Sequence, residues 1–399
     1  MAERLQMSIK DIRKAKILEM VKEKKLTLVR GAELLGVSYR HGKRLYARYR
    51  SEGDAGLLHK SLGVQSNRRI DPELRSRVVE LYREQYSGFG PTLAAEKLHE
   101  RDGMVVNRET LRLWLIAEGL WQVKRRRYRY RQRRERREGF GELVQFDGSH
   151  HDWFEGRGAK CCLMNMVDDA TGITYAQLFE QETTEAAMLL LWGWIERYGI
   201  PQAVYCDRKN AFVIDREPTI EEQLAGKKPL SPFQLACEKL GIEVITAYSP
   251  QAKGRVERNH AVYQDRFIKE LRLEGSTDIK SANEYLLAKY LGSINEKFAK
   301  PAIDPEDAHA PLFKPEILNN VFCFEETRKI SNDYVVQFGG RSYQLLKQER
   351  RKLPKPDSSV TVRRWLDDSV HVFWENRELA ISMISKTDKK EDETAGLSA

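Results

Sequence analysis

Cysteine is scarce in this chain, and what there is does not build structure. Five thiols, Cys161, Cys162, Cys206, Cys237 and Cys323, are spread over 399 residues. They form no Cys-x-x-Cys pair, and an odd number excludes a fully paired disulfide framework. The first 122 residues contain none, which excludes a zinc finger built on Cys and His in that region. No apolar run approaches the length of a membrane span, and no N-terminal segment has the charged-then-apolar form of a signal peptide. The chain therefore reads as cytoplasmic, with reduced, buried thiols and no membrane partner.

Basic charge is what the chain has in excess, and the excess is local. Lys and Arg number 68 against 59 Asp and Glu, a net charge of +9. The run "KRRRYRYRQRRERR" over residues 124–137 holds ten basic residues and one acid, so it alone accounts for that excess. A solvated linker is the plain reading of such a run, but its density also favours a polyanion, and the two are compatible. Lys124, Arg125, Arg126, Arg127, Arg129 and Arg131 would track a phosphate backbone, and the interleaved Tyr128 and Tyr130 could stack on bases.

Ahead of that run the pattern is helical. Ile9, Ile12, Ile17, Met20 and Val21 make an apolar stripe. In "LTLVRGAELLGVSYRHGKRLYARYR", Thr27 caps a short helix through Leu35, Gly36 suits the tight turn, and Ser38 caps a second helix reaching about Ser51. Ala32 is small where the two helices would cross, with Val37 and Leu45 filling the space between them. This is a helix-turn-helix pattern. It would present Tyr39, Arg40, Lys43 and Arg44 to bases or phosphates in the major groove. Gly42 argues against it, since an interior helical glycine costs about 1 kcal/mol relative to alanine. An ordinary bundle with a basic face is the alternative. Residues 71–121 repeat the theme, with helices opening at Asp71-Pro72, at Pro91 and after Asn107, and with Arg108 and Arg112 exposed.

From Gly141 the period changes to that of strands. Candidates are Leu143 to Asp147, Cys161 to Val167 and Ile173 to Phe179, then a helix from Thr184 to Tyr198. A short strand Ala203 to Cys206, a helix Ser231 to Leu240, a strand Ile242 to Ala247 and a long helix Gln251 to Leu271 follow. A further helix spans about Asp278 to Phe298. Three antiparallel strands followed by helix, strand, helix, strand, helix is the ribonuclease-H-like order. After a connector bearing Pro301, Pro305, Pro311 and Pro315, five short strand candidates in 333–382 suggest a small SH3-like barrel. The expected organisation is multidomain. Residues 1–60 and 61–122 form all-α helix-turn-helix modules, 123–139 a basic linker and 140–300 the α/β core. Residues 301–325 form a second linker, 326–385 the barrel and 386–399 a polar, disordered tail.

Three acids stand out on that core. Asp147 ends the first strand in "VQFDGSHHDW", Asp207 follows the fourth in "VYCDRKNAF", and Glu257 lies early in the long helix. Singly each has an ordinary explanation: a turn, a loop start, an exposed acid beside Lys253, Arg255 and Arg258. Jointly, the fold order would bring them to one small volume. Carboxylate oxygens suit Mg²⁺ or Mn²⁺, and two ions about 3.5–4 Å apart can serve both oxygens of a phosphoryl transfer. Asp168 and Asp169 in "VDDATG" compete for that role but are accounted for by a tight turn at Gly172. His150 and His151 are too few for a zinc site by themselves.

With these motifs in view, the chain resembles the DDE transposases with a retroviral-integrase-like catalytic core, and most closely the bacterial ISNCY insertion-sequence family. The resemblance is carried by "VQFDGSHHDWFEGRGAKCCLMNMVDDATG", "YCDRKNAF", "LGIEVITAYSPQAKGRVERNHAVYQDR" and "INEKFAKPA", and extends over most of the chain. Arg208-Lys209 departs from the Asn-Gly of many relatives, and 213–232 looks like an insertion. The resemblance implies that Asp147, Asp207 and Glu257 are the catalytic acids, holding two Mg²⁺ or Mn²⁺ ions. It implies hydrolysis at the 3′ ends of a transposon and direct transesterification into target DNA. The helical modules would read terminal inverted repeats. Lys253, Arg255 and Arg258 would contact phosphates. A homodimer or higher oligomer on double-stranded DNA, near the nucleoid and without a small-molecule cofactor, is expected. A DNA-binding regulator with an inactive core, or a nuclease that cuts without joining, are the alternatives.

Overall fold

The computed structural model describes residues 7–58, 70–122, 135–207, 212–214, 216–217, 220–224, 229–246, 254–347 and 352–384. The basic run from 124 to 134 and Lys253 lie outside the described residues. The chain divides into two compact units, Met1–Arg83 and Glu84–Ala399.

The first unit is built from helices α1 (Ile9–Lys22), α2 (Leu28–Leu35), α3 (Tyr39–Glu52) and, at its end, α4 (Pro72–Glu84). The Thr27 hydroxyl accepts from Arg30 N at 3.3 Å and the Ser38 hydroxyl from His41 N at 3.3 Å, so each side chain satisfies an orphan amide at a helix start. Gly36, at φ 66°, closes α2 in the left-handed conformation that only glycine adopts freely. Leu18, Leu45 and Leu57 form the core, flanked by Leu35 and Val37. Gly42 is buried, and a Cβ there would stand 2.9 Å from Ala32 Cβ. The glycine that weakens α3 in isolation is the residue that lets α2 and α3 cross. Tyr39, Arg40, Lys43 and Arg44 are all exposed along one end of α3, with the Lys43 ammonium 5.5 Å from the Tyr39 ring centroid.

The second unit opens with α5 (Pro91–Asp102) and α6 (Arg108–Ala117). Then come β1 (Gly139–Phe140), β2 (Val144–His151), β3 (Cys161–Asp168), β4 (Thr174–Phe179), α7 (Thr184–Tyr198) and β5 (Ala203–Cys206). These are followed by α8 (Ile220–Leu224), α9 (Pro232–Lys239), β6 (Glu243–Thr246) and α10 (Gly254–Leu273). Next are α11 (Ile279–Tyr285), a π-helical turn (Leu286–Tyr290) and α12 (Leu291–Phe298). One five-stranded sheet runs in the order β4-β3-β2-β5-β6. Its first three strands pair antiparallel, and β2, β5 and β6 pair parallel. That is the ribonuclease-H-like topology expected from the element order. Every position of β3 is buried, as a strand covered on both faces requires. Phe146 points to Phe212 and to Phe233 of α9, with ring centroids at 5.1 and 5.7 Å, whereas the alternate residues of β2 face α10.

Helix α5 is tied to α10 by a row of charge pairs. Glu96 takes a two-pronged hydrogen bond from Arg266 (2.7 and 3.3 Å) and an ion pair from Lys297. Lys97 reaches Glu270 at 2.7 Å, and Arg101 reaches Glu274 at 3.1 Å. The partners Arg266, Glu270 and Glu274 recur every four residues, one per turn, so the seam follows a single stripe of α10 and the residue just past its end. No helix among the described residues is long and apolar enough to cross a membrane.

Two expectations are corrected beyond the core. The proline-bearing stretch after α12 is not a free connector. It forms β7 (Asp304–Asp307), which pairs with β1, and Ala310 bridges to Ile200. Helix α13 (Ile317–Val321) buries Leu318, Val321 and the adjacent Phe322 in the main core. Among the described residues, the strands that follow do not show the expected small SH3-like barrel as one continuous sheet. They are β8 (Cys323–Lys329), β9 (Val335–Phe338), β10 (Arg341–Leu345), β11 (Ser359–Trp365), β12 (Val370–Trp374), β13 (Arg377–Leu379) and β14 (Ile381–Ile384). They make two sheets, β13-β12-β11-β8 and β14-β10-β9, that share the cluster Ile330, Val336, Leu345, Val360, Val362, Val372 and Leu379. The strand missed in the sequence, β8, carries Glu325, which pairs with Arg363 of β11 at 2.6 Å and with Lys239 of α9 at 2.9 Å. Its polar outer positions hide the alternation that marks a strand.

Two outcomes are expected. Gly193 of α7 lies against a buried tyrosine, and a Cβ there would be 2.1 Å from Tyr175 Oη. Gly193→Ala is therefore expected to lower the melting temperature despite the gain of about 1 kcal/mol in helix propensity. A raised melting temperature in calorimetry would contradict this packing. Burial pushes the Glu96 carboxyl up, but the hydrogen bonds from Arg266 and Lys297 outweigh it and hold the group below its ordinary value. Its contribution is complete above the unfolded value of about 4.3 and is lost as pH falls through the lower folded value. Glu96→Gln should flatten that part of the acid-unfolding curve.

Candidate active site

The site is organised by a polar seam between strand β2 and helix α10. Gln145, Asp147 and Ser149 alternate along β2 and so share one face. The Val256 amide donates to Gln145 Oε1 at 3.3 Å. His260 Nδ1 lies 3.9 Å from Asp147 Oδ2. Gln264 Nε2 donates to Ser149 Oγ at 3.0 Å. Two residues of strand advance about 6.6 Å and four residues of helix about 6.0 Å, so contacts at every second strand residue and every fourth helix residue stay in step. Helix and strand therefore run side by side in the same direction. A second row reinforces the first. Asn165, which pairs with Asp147 across β2 and β3, donates to Asn259 Oδ1 at 2.7 Å and accepts from the Thr174 hydroxyl at 2.6 Å.

Asp147 and Glu257 sit on this frame, and Asp207 follows β5, the strand that neighbours β2. Val144 and Gln145 pair with Val204 and Tyr205 in the parallel register of β2 and β5. If the same register continued to the residue after β5, Asp207 would stand level with Asp147, one strand spacing of about 4.8 Å away. Glu257 lies in the first turn of α10, one turn before the histidine that meets Asp147, so it shares that face of the helix. Its position also suits an acid to the positive end of the helix. The Asp147 side chain is 15% exposed, and Glu257 is exposed, so the edge opens to solvent. Residues 208–211 and 247–253, which flank Asp207 and Glu257 in sequence, lie outside the described residues.

The two competing acids have other work. Asp168 caps the β3–β4 turn, accepting from the amide and hydroxyl of Thr171 (both 2.7 Å) and from Gly141 N at 3.0 Å. Burial pushes its carboxyl up, with those hydrogen bonds opposing. Asp169 is fully buried and accepts from Gln145 Nε2 (2.8 Å), Arg255 Nη1 (3.2 Å) and Arg137 N (2.9 Å). It thereby orients the Gln145 amide that caps α10 and anchors the end of the basic run beside the start of that helix. Among the residues expected to meet DNA, Arg255 is turned inward to Asp169. Arg258 is exposed and donates to Gly254 O at 2.7 Å, while Arg112, expected to be exposed, is half-buried and paired with Glu109. Arg108 is exposed as well. Sequence reasoning missed Gln145, Asn165, Asn259, His260 and the role of Asp169. The available signal was a strand carrying Gln, Asp and Ser at alternate positions between apolar ones.

The strand order and the helices ahead of it define a protein with helix-turn-helix domains and an integrase-like core. Residues 13–63 match the helix-turn-helix domain family, and residues 41–115 match the homeodomain-like domain family. The chain is 35% identical over 391 residues to the Sinorhizobium fredii protein named "Putative transposase y4bF", covering 95% of this chain and 82% of that one. It is 24% identical over 369 residues to the transposase for insertion sequence IS1202 of Streptococcus pneumoniae, covering 84% of this chain and 77% of that one. The chain belongs to the transposase family. Among solved structures it is similar to the HTLV-2 integrase catalytic core domain in complex with magnesium, with 20% identity over 38% of this chain and 88% of that one and a TM-score of 0.29. The core topology stands on its own strand order and register rather than on that likeness.

Gln145→Leu keeps the size of the side chain but leaves the Val256 amide and the Asp169 carboxylate each short of a partner. A loss of about 1–3 kcal/mol is expected. Hydrogen exchange should locate it in residues 254–260, and unchanged protection there would remove Gln145 from the positioning of α10.

Proposed function

We propose that this transposase hydrolyses the phosphodiester at the 3′ ends of its transposon and joins those ends to target DNA, with Asp147, Asp207 and Glu257 as the catalytic acids. The observation that supports the reading is the β2/β5 pairing combined with the β2/α10 seam, with Asp147 on β2, Asp207 directly after β5 and Glu257 in the first turn of α10. The donor set fits magnesium or manganese: all three groups offer oxygen, which hard cations prefer, and none offers sulfur. Two ions held there would supply Lewis-acid stabilisation of the charge that builds on the phosphate and activation of the attacking oxygen. The chain's own part is positioning. Asp169 and Gln145 hold the start of α10, and His260 fills the space beside Asp147. Lys253 and Arg258 would contact phosphates near Glu257, which sets register without reading sequence. The exposed face of α3, with Tyr39, Arg40, Lys43 and Arg44, would read the terminal repeats in the major groove, helped by Arg108 and Arg112. Lys124, Arg125, Arg126, Arg127, Arg129 and Arg131 would follow the backbone, making binding steeply salt-dependent. Joining two ends in one event calls for at least a dimer on DNA.

The experiment is a strand-transfer assay in Mg²⁺ with intact and pre-cut transposon-end DNA. Asp147→Asn, Asp207→Asn and Glu257→Gln are each expected to bind end DNA as the wild type does, while cleavage and joining fall to background. An Asp147→Asn enzyme that nicks at the normal rate overturns the assignment. Cutting without joining of pre-cut ends would make the protein a nuclease, and binding without either activity a regulator.

A further inference from the structure

On the reverse face of β2, away from the three acids, a second group of ligand-type side chains meets. His150 and Cys162 are directly paired across β2 and β3, so their side chains leave the sheet together. Glu182, in the turn between β4 and α7, comes down on the same spot. One ligand atom from each of His150, Cys162 and Glu182 lies within 4.8 Å of the others, and His150 Nε2 is 3.5 Å from Glu182 Oε2. We propose that His150, Cys162 and Glu182 form a zinc site that fastens the ends of β2 and β3 to the start of α7, separate from the carboxylate edge.

The argument rests first on chemistry. Imidazole, thiolate and carboxylate are the three donors zinc takes, at about 2.0–2.3 Å each, which puts tetrahedral ligand atoms roughly 3.4–3.6 Å apart. The His150–Glu182 separation already has that length, and the remaining ligand atoms, within 4.8 Å, need to close by no more than about 1.4 Å. A thiolate beside a carboxylate disfavours both anions, and a divalent cation between them reverses the sign of that interaction. Sulfur also selects the ion: magnesium prefers oxygen, whereas zinc accepts all three donors.

The second support is steric. Gly148 precedes His150 by two residues on the same face of β2. A Cβ at Gly148 would stand 2.8 Å from Glu182 Cδ and 3.1 Å from Cys162 Sγ. The absent side chain leaves the space in which carboxylate and thiol approach each other. Cys162 and the Glu182 side chain are buried, at 0% and 6% exposure, while His150 is 62% exposed. The group is thus walled by the sheet and open on the histidine side. That leaves a fourth position for water, and lets His150 swing the short distance required.

The test uses the full chain, stripped with chelator and then loaded with Zn²⁺ or Co²⁺ in excess Mg²⁺. One equivalent of zinc by elemental analysis, a rise in melting temperature on loading, and a thiolate-to-cobalt charge-transfer band are expected. His150→Ala changes an exposed residue and is expected to fold. It should weaken zinc binding at least about tenfold. Cys162→Ser should abolish the charge-transfer band, and Gly148→Ala should do the same by filling the cradle. Asp147→Asn should keep both the zinc and the band, which separates this site from the carboxylate edge. Less than stoichiometric zinc, a cobalt spectrum without thiolate character, or binding unchanged in His150→Ala would each overturn the proposal.

Discussion

The packing of α10 along β2 is the constraint on which the rest of the second unit depends. An amphipathic helix on a sheet normally meets it through apolar side chains, and that contact tolerates sliding. Here the meeting rows also carry Gln145, Asp147, Ser149, Asn165 and Thr174 on the sheet, against Val256 N, Asn259, His260 and Gln264 on the helix. Hydrogen bonds are directional, and a buried polar group left unpaired costs about 1–3 kcal/mol. A shift of one residue would unpair several at once. The register of helix on strand is thereby set to within a fraction of a turn, and the position of Glu257 relative to Asp147 with it.

Asp169 extends this constraint outward. A fully buried carboxylate is costly unless it is hydrogen-bonded and paired, and Asp169 is both, through Gln145, Arg255 and the Arg137 amide. It links three things that are distant in the chain: the capping amide of α10, the basic side chain one residue before Val256, and the end of the arginine-rich run. A change at the run's anchor is therefore mechanically close to the acids, although it lies more than a hundred residues from Glu257 in sequence. The charge seam between α5 and α10 attaches a helical layer to the outer side of the same helix. Thus α10 carries contacts on both sides, apolar and hydrogen-bonded toward the core and ionic toward α5.

Much of the architecture was legible without coordinates because it rests on local chemistry. Thr27, Gly36 and Ser38 announce their helix ends through backbone needs that no tertiary contact changes, and all three stand where expected. The five core strands follow from alternating or continuous apolar runs, and their order implies the sheet. Where reading failed, the deciding contact was remote. The prolines after Pro301 suggested a connector, yet β7 and α13 are held by β1 and by the main core. The last strands suggested a small barrel, and strand pairing divides the described ones between two sheets around one cluster. Gly42 looked like a defect in α3 until Ala32 was placed against it.

The amino-acid order by itself determined the kinds of element, their sequence and three acids suited to a hard cation, because caps, periodicity and carboxylate chemistry are properties of short segments. Tertiary structure decided which acid does what. Asp168 and Asp169 sit beside each other and are chemically identical to Asp147, but one closes a turn and the other orients a helix. It also decided that His150, which had too few partners along the chain, meets Cys162 and Glu182. Both decisions turn on the side to which a strand residue points and on what the fold brings opposite it, and spacing along the chain contains neither.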